Sequence, residues 1–384
     1  MNIIDLLSSI QSVAPELSSS YCIVNGTLMR LDEIEKMGYR EFWLRSKLNM
    51  PKKFYKYCPN TCKEKDGELI NYSHLTLENN TVFMQSPSEF DDVYDSDIHI
   101  EFAEYEKYRL FEYCRRCQLN VGSEATMQEL GESFLRWIYE TYQHTHSFDG
   151  FFQIEPESEL EKLSNRYFCL RLQNELMKGT DWETALAKVI RIEYEEYAAY
   201  LKTAFRTSCF TTTPYSQLMW GGSYADCHRG FCIEYTVLPE NEAYQEIYQN
   251  LFPMVYCKAR PNITERIVAY KDKPPTEENL WDIYFHGALR KSIDWAYQNE
   301  WRLLLPMGRT KETNFNIAFF PITKVFLGNR MNPEKRKSII EICHSRSIPY
   351  VGVTRNPDCF EMQDCNVLCE NCPQYQIDPE TSIR

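Results

Sequence analysis

A block of about a hundred residues, 98–205, carries helical spacing throughout, and β-rich segments lie on both sides of it. Phe102, Tyr105, Tyr108 and Phe111 recur at three- and four-residue steps. So do Leu130, Phe134, Ile138 and Tyr142, then Leu160, Leu163, Tyr167 and Leu170, then Leu186, Ile190, Tyr194, Tyr197 and Leu201. Before the block, 54–57 and 81–84 have the β-branched and aromatic make-up of short strands. After it, strands are expected at 208–211, 230–236, 255–256, 300–306 and 323–327, helices at 277–296 and within 332–350, and a last strand near 350–351. Helices segregated from strands in this way define the α+β class. The expectation is a mixed, mainly antiparallel split β-sheet core with a large helical insertion. Its boundaries are a helical segment at 1–50, core at 51–97, insertion at 98–205, core again at 206–355, and a Cys-rich tail at 356–384.

Composition narrows the function classes. The 384 residues have room for two or three domains, and 43% hydrophobic with 14% aromatic residues excludes a disordered chain. Fifty-five acidic residues against 42 basic ones leave a net charge of -13, which opposes non-specific binding to nucleic acid or anionic membrane. No run approaches the roughly 18–20 apolar residues of a membrane span, and Met1-Asn2-Ile3-Ile4-Asp5-Leu6-Leu7 lacks a basic n-region, so a cytoplasmic protein without membrane contact is expected. In that compartment fifteen Cys are buried thiols, metal ligands or reactive groups rather than a disulfide framework.

Two segments concentrate chemistry. In 218–235 an apolar entry passes into Trp220, Gly221, Gly222, Ser223, Tyr224, His228, Arg229 and Gly230 before an alternating strand. Bulky side chains beside permissive backbone suit a ligand wall. His228 can serve as acid or base, position a ligand, or be a structural hydrogen-bonding group. In 298–305, Gln298, Glu300 and Arg302 fall on one face if the strand begins early. A Glu beside an Arg stays ionised, and such a carboxylate can orient a hydroxyl or stabilise a cationic transition state. The alternative is an ordinary ion pair at a strand start, with Trp220, Tyr224 and Trp301 as core.

Metal readings are sparser. Cys359, Cys365, Cys369 and Cys372 sit within fourteen residues and could hold a structural zinc, although only Cys369 and Cys372 form a C-x-x-C knuckle. Asp91, Asp92, Asp95 and Asp97 read as a solvated acidic turn rather than an oxygen-ligated metal site. Cys114 and Cys117, and Cys58 and Cys62, are incidental pairs. Phosphate-binding G-x-x-x-x-G-K-[ST], dinucleotide G-x-G-x-x-G, H-E-x-x-H and G-x-S-x-G motifs are absent from the sequence.

Taken in order, Phe54-Tyr55-Lys56-Tyr57, Thr81-Val82-Phe83-Met84, Ser86-Pro87, 90–95, Ser208-Cys209-Phe210, 218–235 and Glu300-Trp301-Arg302 resemble a family of bacterial proteins grouped as domain of unknown function 2971. The chain departs from that pattern at Asp91-Asp92-Val93, where the family has Asn-Asp-Pro, and at Ser223, where it tends to have His. A more distant resemblance is to ADP-ribosyltransferase-like enzymes with a split sheet, which carry a basic residue on an early strand, a Ser or aromatic strand centrally and a Glu on a late strand. That resemblance implies Lys56 or Tyr57 near a nicotinamide nucleotide, Ser208 and Tyr224 lining the pocket, Glu300 as catalytic carboxylate and Gln298 completing a Gln-x-Glu pair. Asp92, Trp220 and Arg302 join the substrate-binding set, with His228 positioning the substrate.

Two functions follow as expectations. One is an NAD-consuming enzyme, with NAD as substrate and a protein or nucleic-acid acceptor or water, acting as a toxin or phage-defence effector. The other is a non-enzymatic module that binds a nucleotide or a protein partner.

Overall fold

The computed structural model describes residues 19–65, 67–145, 152, 156, 158–260, 262–271, 273, 276–306 and 314–366. The chain forms two compact units. The first comprises Met1–Asp91, Phe205–Ala259 and Leu289–Arg384, and the second Asp92–Ala204 with Arg260–Ala288. The class is α+β, with mixed and mostly antiparallel sheets.

All named strands lie in the first unit. They begin with β1 (Tyr21–Val24), β2 (Thr27–Arg30), β3 (Lys53–Cys58), β4 (Lys63–Lys65), β5 (Glu68–Ile70) and β6 (Thr81–Met84). Next come β7 (Phe205–Thr211), β8 (Phe231–Thr236), β9 (Leu251–Pro253), β10 (Val255–Cys257) and β11 (Arg290–Ser292). The series ends with β12 (Glu300–Pro306), β13 (Phe315–Ala318), β14 (Ile322–Leu327), β15 (Tyr350–Arg355) and β16 (Met362–Asp364). The principal sheet has the order β16-β15-β14-β8-β3-β7-β12-β9, and a four-stranded sheet has the order β11-β10-β1-β2.

One junction of the principal sheet is thin. β3 pairs along its whole length with β8, from Lys53↔Thr236 to Cys58↔Phe231, but meets β7 only at Tyr55↔Thr211. β7 in turn pairs fully with β12, from Glu300↔Thr211 to Pro306↔Phe205. The sheet is thus two well-laddered halves joined at a single residue pair.

Strand alternation assigns the two faces. Phe54, Phe210, Ile233, Tyr235, Trp301, Leu303, Val325 and Leu327 form the larger core, with Leu77 of the helix Tyr72–Asn79 and Ile339 and Cys343 of the helix Pro333–Ser345 packed on it. Each large side chain removed from water there contributes about 1.5–3 kcal/mol. The other face carries Tyr57, Cys232 and Phe326 under Met219, Trp220 and Ala225. β8 is buried on both faces, with only Thr236 partly exposed, so the alternating apolar and polar strand expected there is a central strand in which Glu234 is buried too.

The sequence misleads at two elements. Within the expected 1–50 helical segment, residues 21–30 form a hairpin turned by Asn25 and Gly26 at φ 48° and 73°, and helices follow at Leu31–Glu35 and Tyr39–Leu48. Asn-Gly between short apolar runs is the signature of that turn. Ile3, Leu6, Leu7 and Ile10 lie outside the described residues. The helix expected over 277–296 covers only Glu277–Ile283; a π turn at Tyr284–Ala288, β11 and a 3-10 turn at Ile293–Gln298 follow. Gly287 lets this turn approach Ile98 closely, since a Cβ there would lie 2.5 Å from the Ile98 side chain.

The second unit is helical: α1 (Phe102–Arg116), α2 (Met127–Thr145), α3 (Glu159–Met177), α4 (Trp182–Thr203), α5 (Thr264–Tyr270) and α6 (Glu277–Ile283). Tyr105, Tyr113, Phe134, Phe168, Leu172 and Val189 are among its buried residues. Ser158 and Asp181 cap α3 and α4 by accepting from the Glu161 and Thr184 N–H groups. Within the core, Glu193 accepts from Arg109 at 3.3 Å and from the Tyr113 hydroxyl at 2.5 Å.

Candidate functional site

The Glu300 carboxylate is the centre of a buried polar network on the face of β12 opposite the larger core. Its Oε1 accepts from Arg302 Nε at 2.5 Å and its Oε2 from Lys291 Nζ at 3.0 Å, with the Glu300 side chain only 5% exposed. Lys291 also donates to Gln298 Oε1 at 2.9 Å, and Gln298 Nε2 donates to the Tyr224 hydroxyl at 2.5 Å. The Glu300 N–H donates to the Tyr256 hydroxyl at 2.8 Å. Burial, with the Glu300 charge adding to it, raises the Tyr256 phenol well above its ordinary value. Burial pushes Tyr224 up to about 12, so its phenol keeps its proton across the physiological range.

Gln298 reaches this network by a route different from the expected one. It ends the 3-10 turn, and Asn299 at φ 42° reverses the chain before β12 begins at Glu300. The left-handed residue breaks the two-residue alternation, yet the amide still arrives at the carboxylate because Lys291 bonds both.

Lys56 and Ser208 stand on the other face. Lys56 pairs with Ile233 and Ser208 with Leu303, both core residues, and Lys56 Nζ lies 5.1 Å from the Phe210 ring. Across the thin β3–β7 junction Lys56 Nζ donates to Ser208 Oγ at 3.0 Å and to the Cys209 carbonyl at 3.1 Å. The residues of β3 and β7 that share the Glu300 face are Tyr55, Tyr57, Cys209 and Thr211. Tyr57 donates its hydroxyl to the Thr213 carbonyl at 3.2 Å, and burial raises its phenol far above its ordinary value.

The 218–230 segment builds a wall from strained backbone. Trp220 is fully buried, donates to the Pro214 carbonyl at 2.7 Å and packs edge-on against Tyr57 at 5.2 Å, so it is core rather than pocket lining. Asp226, Cys227 and His228 are consecutive left-handed residues at φ 48°, 51° and 68°. Non-glycine residues take that region at a cost, and three in succession need outside support. The His228 carbonyl supplies some by accepting from Arg330 N–H at 3.0 Å, and the Trp220 carbonyl accepts from His228 N–H at 2.8 Å. The imidazole stacks on Trp220 at 6.3 Å with Nδ1 buried and without a hydrogen-bond partner; burial, and then the Arg330 charge, lower its pKa. Tyr224, not His228, carries the segment into the Glu300 network.

Three residues of this face escaped the sequence reading. Lys291 fell inside a helix expectation, and Tyr256 in a short apolar strand without a polar signal. Glu234, hidden in β8, accepts from Lys53 Nζ and Thr323 Oγ1 at 2.8 Å and from the Tyr55 hydroxyl at 3.1 Å. Nearby, Asp364 accepts from Tyr215 at 3.0 Å and from Lys324 at 2.8 Å.

Asp92 belongs to the second unit, where its Oδ1 accepts from the Tyr94 N–H at 2.9 Å. The acidic turn is solvated only in part: Asp91 is exposed, whereas Asp95 is buried and Asp97 is paired with Lys202 and Arg260. Cys359 is exposed and Cys365 half-buried, while Cys369 and Cys372 lie outside the described residues. Cys114 and Cys117 are buried thiols, and burial pushes Cys114 up to about 11.

Residues 219–303 match the family described as a protein of unknown function (DUF2971). The matched span takes in Trp220, Tyr224, His228, Gln298, Glu300 and Arg302, and omits Lys56, Tyr57, Asp92 and Ser208. No curated protein and no solved structure matches the chain. No described helix is long and apolar enough to cross a membrane.

Proposed function

We propose that the protein consumes NAD, by ADP-ribosyl transfer or NAD hydrolysis, at the Glu300 carboxylate. The observation that supports this reading is the split of the sheet at β3–β7, with Glu300, Thr211 and Tyr55 side by side across three consecutive strands. An early, a central and a late strand are the three elements that the distant resemblance requires to meet. Breaking the bond from ribose to nicotinamide sends the electron pair out with the nicotinamide nitrogen and leaves an oxocarbenium ion. A carboxylate fixed by Lys291 and Arg302 stabilises that cation without having to reorganise. Gln298 and the protonated Tyr224 phenol offer hydrogen bonds to ribose hydroxyls, and water or an acceptor hydroxyl then forms the new bond to carbon and releases its proton to solvent.

A second reading, a non-enzymatic nucleotide-binding or protein-interaction module, is favoured by one observation: Glu300 is clamped between two cations with almost no solvent access. Purified full-length protein with labelled NAD separates the two. Nicotinamide release by wild type, falling about a hundredfold to a thousandfold in Glu300→Gln while NAD binding is retained, both read at a temperature where the variant's circular dichroism shows it folded, supports the enzyme. NAD binding without release of nicotinamide, unchanged by Glu300→Gln, supports the module.

A further inference from the structure

Cys22 of β1 and Cys257 of β10 are direct partners in an antiparallel register, with Ile23↔Tyr256 and Val24↔Val255 beside them. Both are free thiols and both are buried. Directly opposed residues point their side chains to the same face of a sheet. Among the described strand pairings no other cysteine faces a cysteine: Cys58 meets Phe231, Cys232 meets Tyr57 and Phe326, and Cys209 meets Arg302. Opposed Cα atoms in an antiparallel ladder stand about 4.5–5.5 Å apart, inside the span of about 4.4–6.8 Å that a disulfide bridges. Their Cβ atoms, also about 4.5–5.5 Å apart, must close to about 3.8 Å. Forming the bond therefore draws the strands together by on the order of 1 Å, and a bond held under that tension is readily reduced.

The surroundings favour oxidation at Cys257 first. Its Sγ accepts from Arg290 Nη1 at 3.9 Å, so a cation stands where a thiolate would form. Burial raises both thiols, Cys22 to about 12, and the Arg290 charge works against burial at each. The cover over Cys22 is slight. β2, which lies beyond β1, is the edge of its sheet, four residues long and with none of them buried. Such a strand opens locally at small cost and admits a small oxidant.

We propose that Cys22 and Cys257 form a reversible disulfide, closed by hydrogen peroxide and opened by a dithiol. The Cys257 thiolate attacks one peroxide oxygen and becomes a sulfenic acid; the departing hydroxide takes up the proton that the thiol lost. The Cys22 thiol then attacks the oxidised sulfur, and a second water carries the oxygen away. Two thiols are oxidised to one disulfide as one peroxide is reduced to two waters. The bond bears on the Glu300 network, because Tyr256, next to Cys257, accepts from the Glu300 N–H and lies opposite Lys291 on β11. This chemistry is independent of the reaction proposed above.

Peroxide treatment of the reduced full-length protein, followed by alkylation, denaturation and peptide mapping without reductant, tests it. A brief block with iodoacetamide under native conditions first caps the exposed thiols of Cys62, Cys227 and Cys359. The expected product is a peptide pair joining Cys22 to Cys257, with both free thiols falling together by about tenfold and returning on addition of dithiothreitol. Circular dichroism should show a folded protein throughout. Cys22 and Cys257 recovered as free thiols after the peroxide step, or a link that forms only in chains unfolded by urea, overturns the proposal. So does either residue going on to sulfinic acid, or joining a different cysteine, in place of the link.

Discussion

Lys291 Nζ stands 3.0 Å from Glu300 and 2.9 Å from Gln298, and all three side chains are buried. Deleting one charge of such a pair leaves the other uncompensated, which costs about 3–5 kcal/mol. Glu300 and Arg302 were legible in the sequence because strand alternation puts both on one face, whereas Gln298 was legible by its type alone, since Asn299 breaks the alternation before β12. Lys291 was not, because only the break after Ile283 turns it towards them. Lys56 shows the opposite failure. A basic residue on an early strand is easy to find, but one position of register decides which face it serves, and the pairing with Ile233 puts it opposite Glu300. Gly328 gives a sharper test of close packing at single-residue scale. A Cβ there would lie 2.2 Å from the His228 carbonyl oxygen and 2.6 Å from that of Gly230, both backbone atoms with no freedom to yield. Gly328→Ala should lower the unfolding free energy by about 3 kcal/mol in denaturant titration, whereas Gly122→Ala, where nothing lies within 4 Å, should change it by less than about 0.5 kcal/mol.

Among elements, strands and long helices followed their periodicities, and the failures came where local geometry overrode them. Asn299 ended a turn that alternation would have continued, and Asn25-Gly26 made a hairpin inside an apparent helical run. The helix Tyr39–Leu48 carries an effect that no pattern discloses. Lys47 donates to the Leu251 carbonyl at 2.5 Å, and its ammonium lies 4.8 Å from Phe252, 5.3 Å from Tyr248 and 5.7 Å from Trp43. Burial lowers it from 10.5 to about 7, with no carboxylate contributing. The folded value lies below the unfolded one, so between these two the unfolded chain holds the extra proton and stability rises with pH. The penalty is fully present below pH 7. Denaturant titrations at about pH 7 and about pH 9.5 should differ by on the order of 2 kcal/mol in favour of the higher pH, after the ring attraction is set against burial. Lys47→Met should remove that difference; an identical slope in the variant would assign it to other groups.

For the whole molecule, the helical block announced itself in the sequence but its extent did not. The second unit also takes 260–288, whose helices α5 and α6 are too short to signal their membership. Tyr197 donates to the Ile267 carbonyl at 3.0 Å, and Tyr270 and Arg266 hold Asp282 at 2.9 and 3.0 Å. A fragment of residues 92–204 should therefore unfold less cooperatively than the same fragment supplemented with a 260–288 peptide, as read by far-UV circular dichroism in urea. Indistinguishable transitions would show that the later segment contributes nothing to this unit. The strand order β14-β8-β3-β7-β12 has a consequence for biosynthesis. β3 leaves the ribosome about 150 residues ahead of its neighbour β7, and β8 is not flanked on both sides until β14 has emerged. At about 5–20 residues per second, the nascent chain holds β3 without a lateral partner for many seconds, while the local helices behind it are already able to form. The charged and hydroxyl-bearing side chains that punctuate β3, Lys53, Tyr55, Lys56 and Tyr57, keep that waiting strand from being uniformly greasy, and make it a poor seed for self-association before its neighbours arrive.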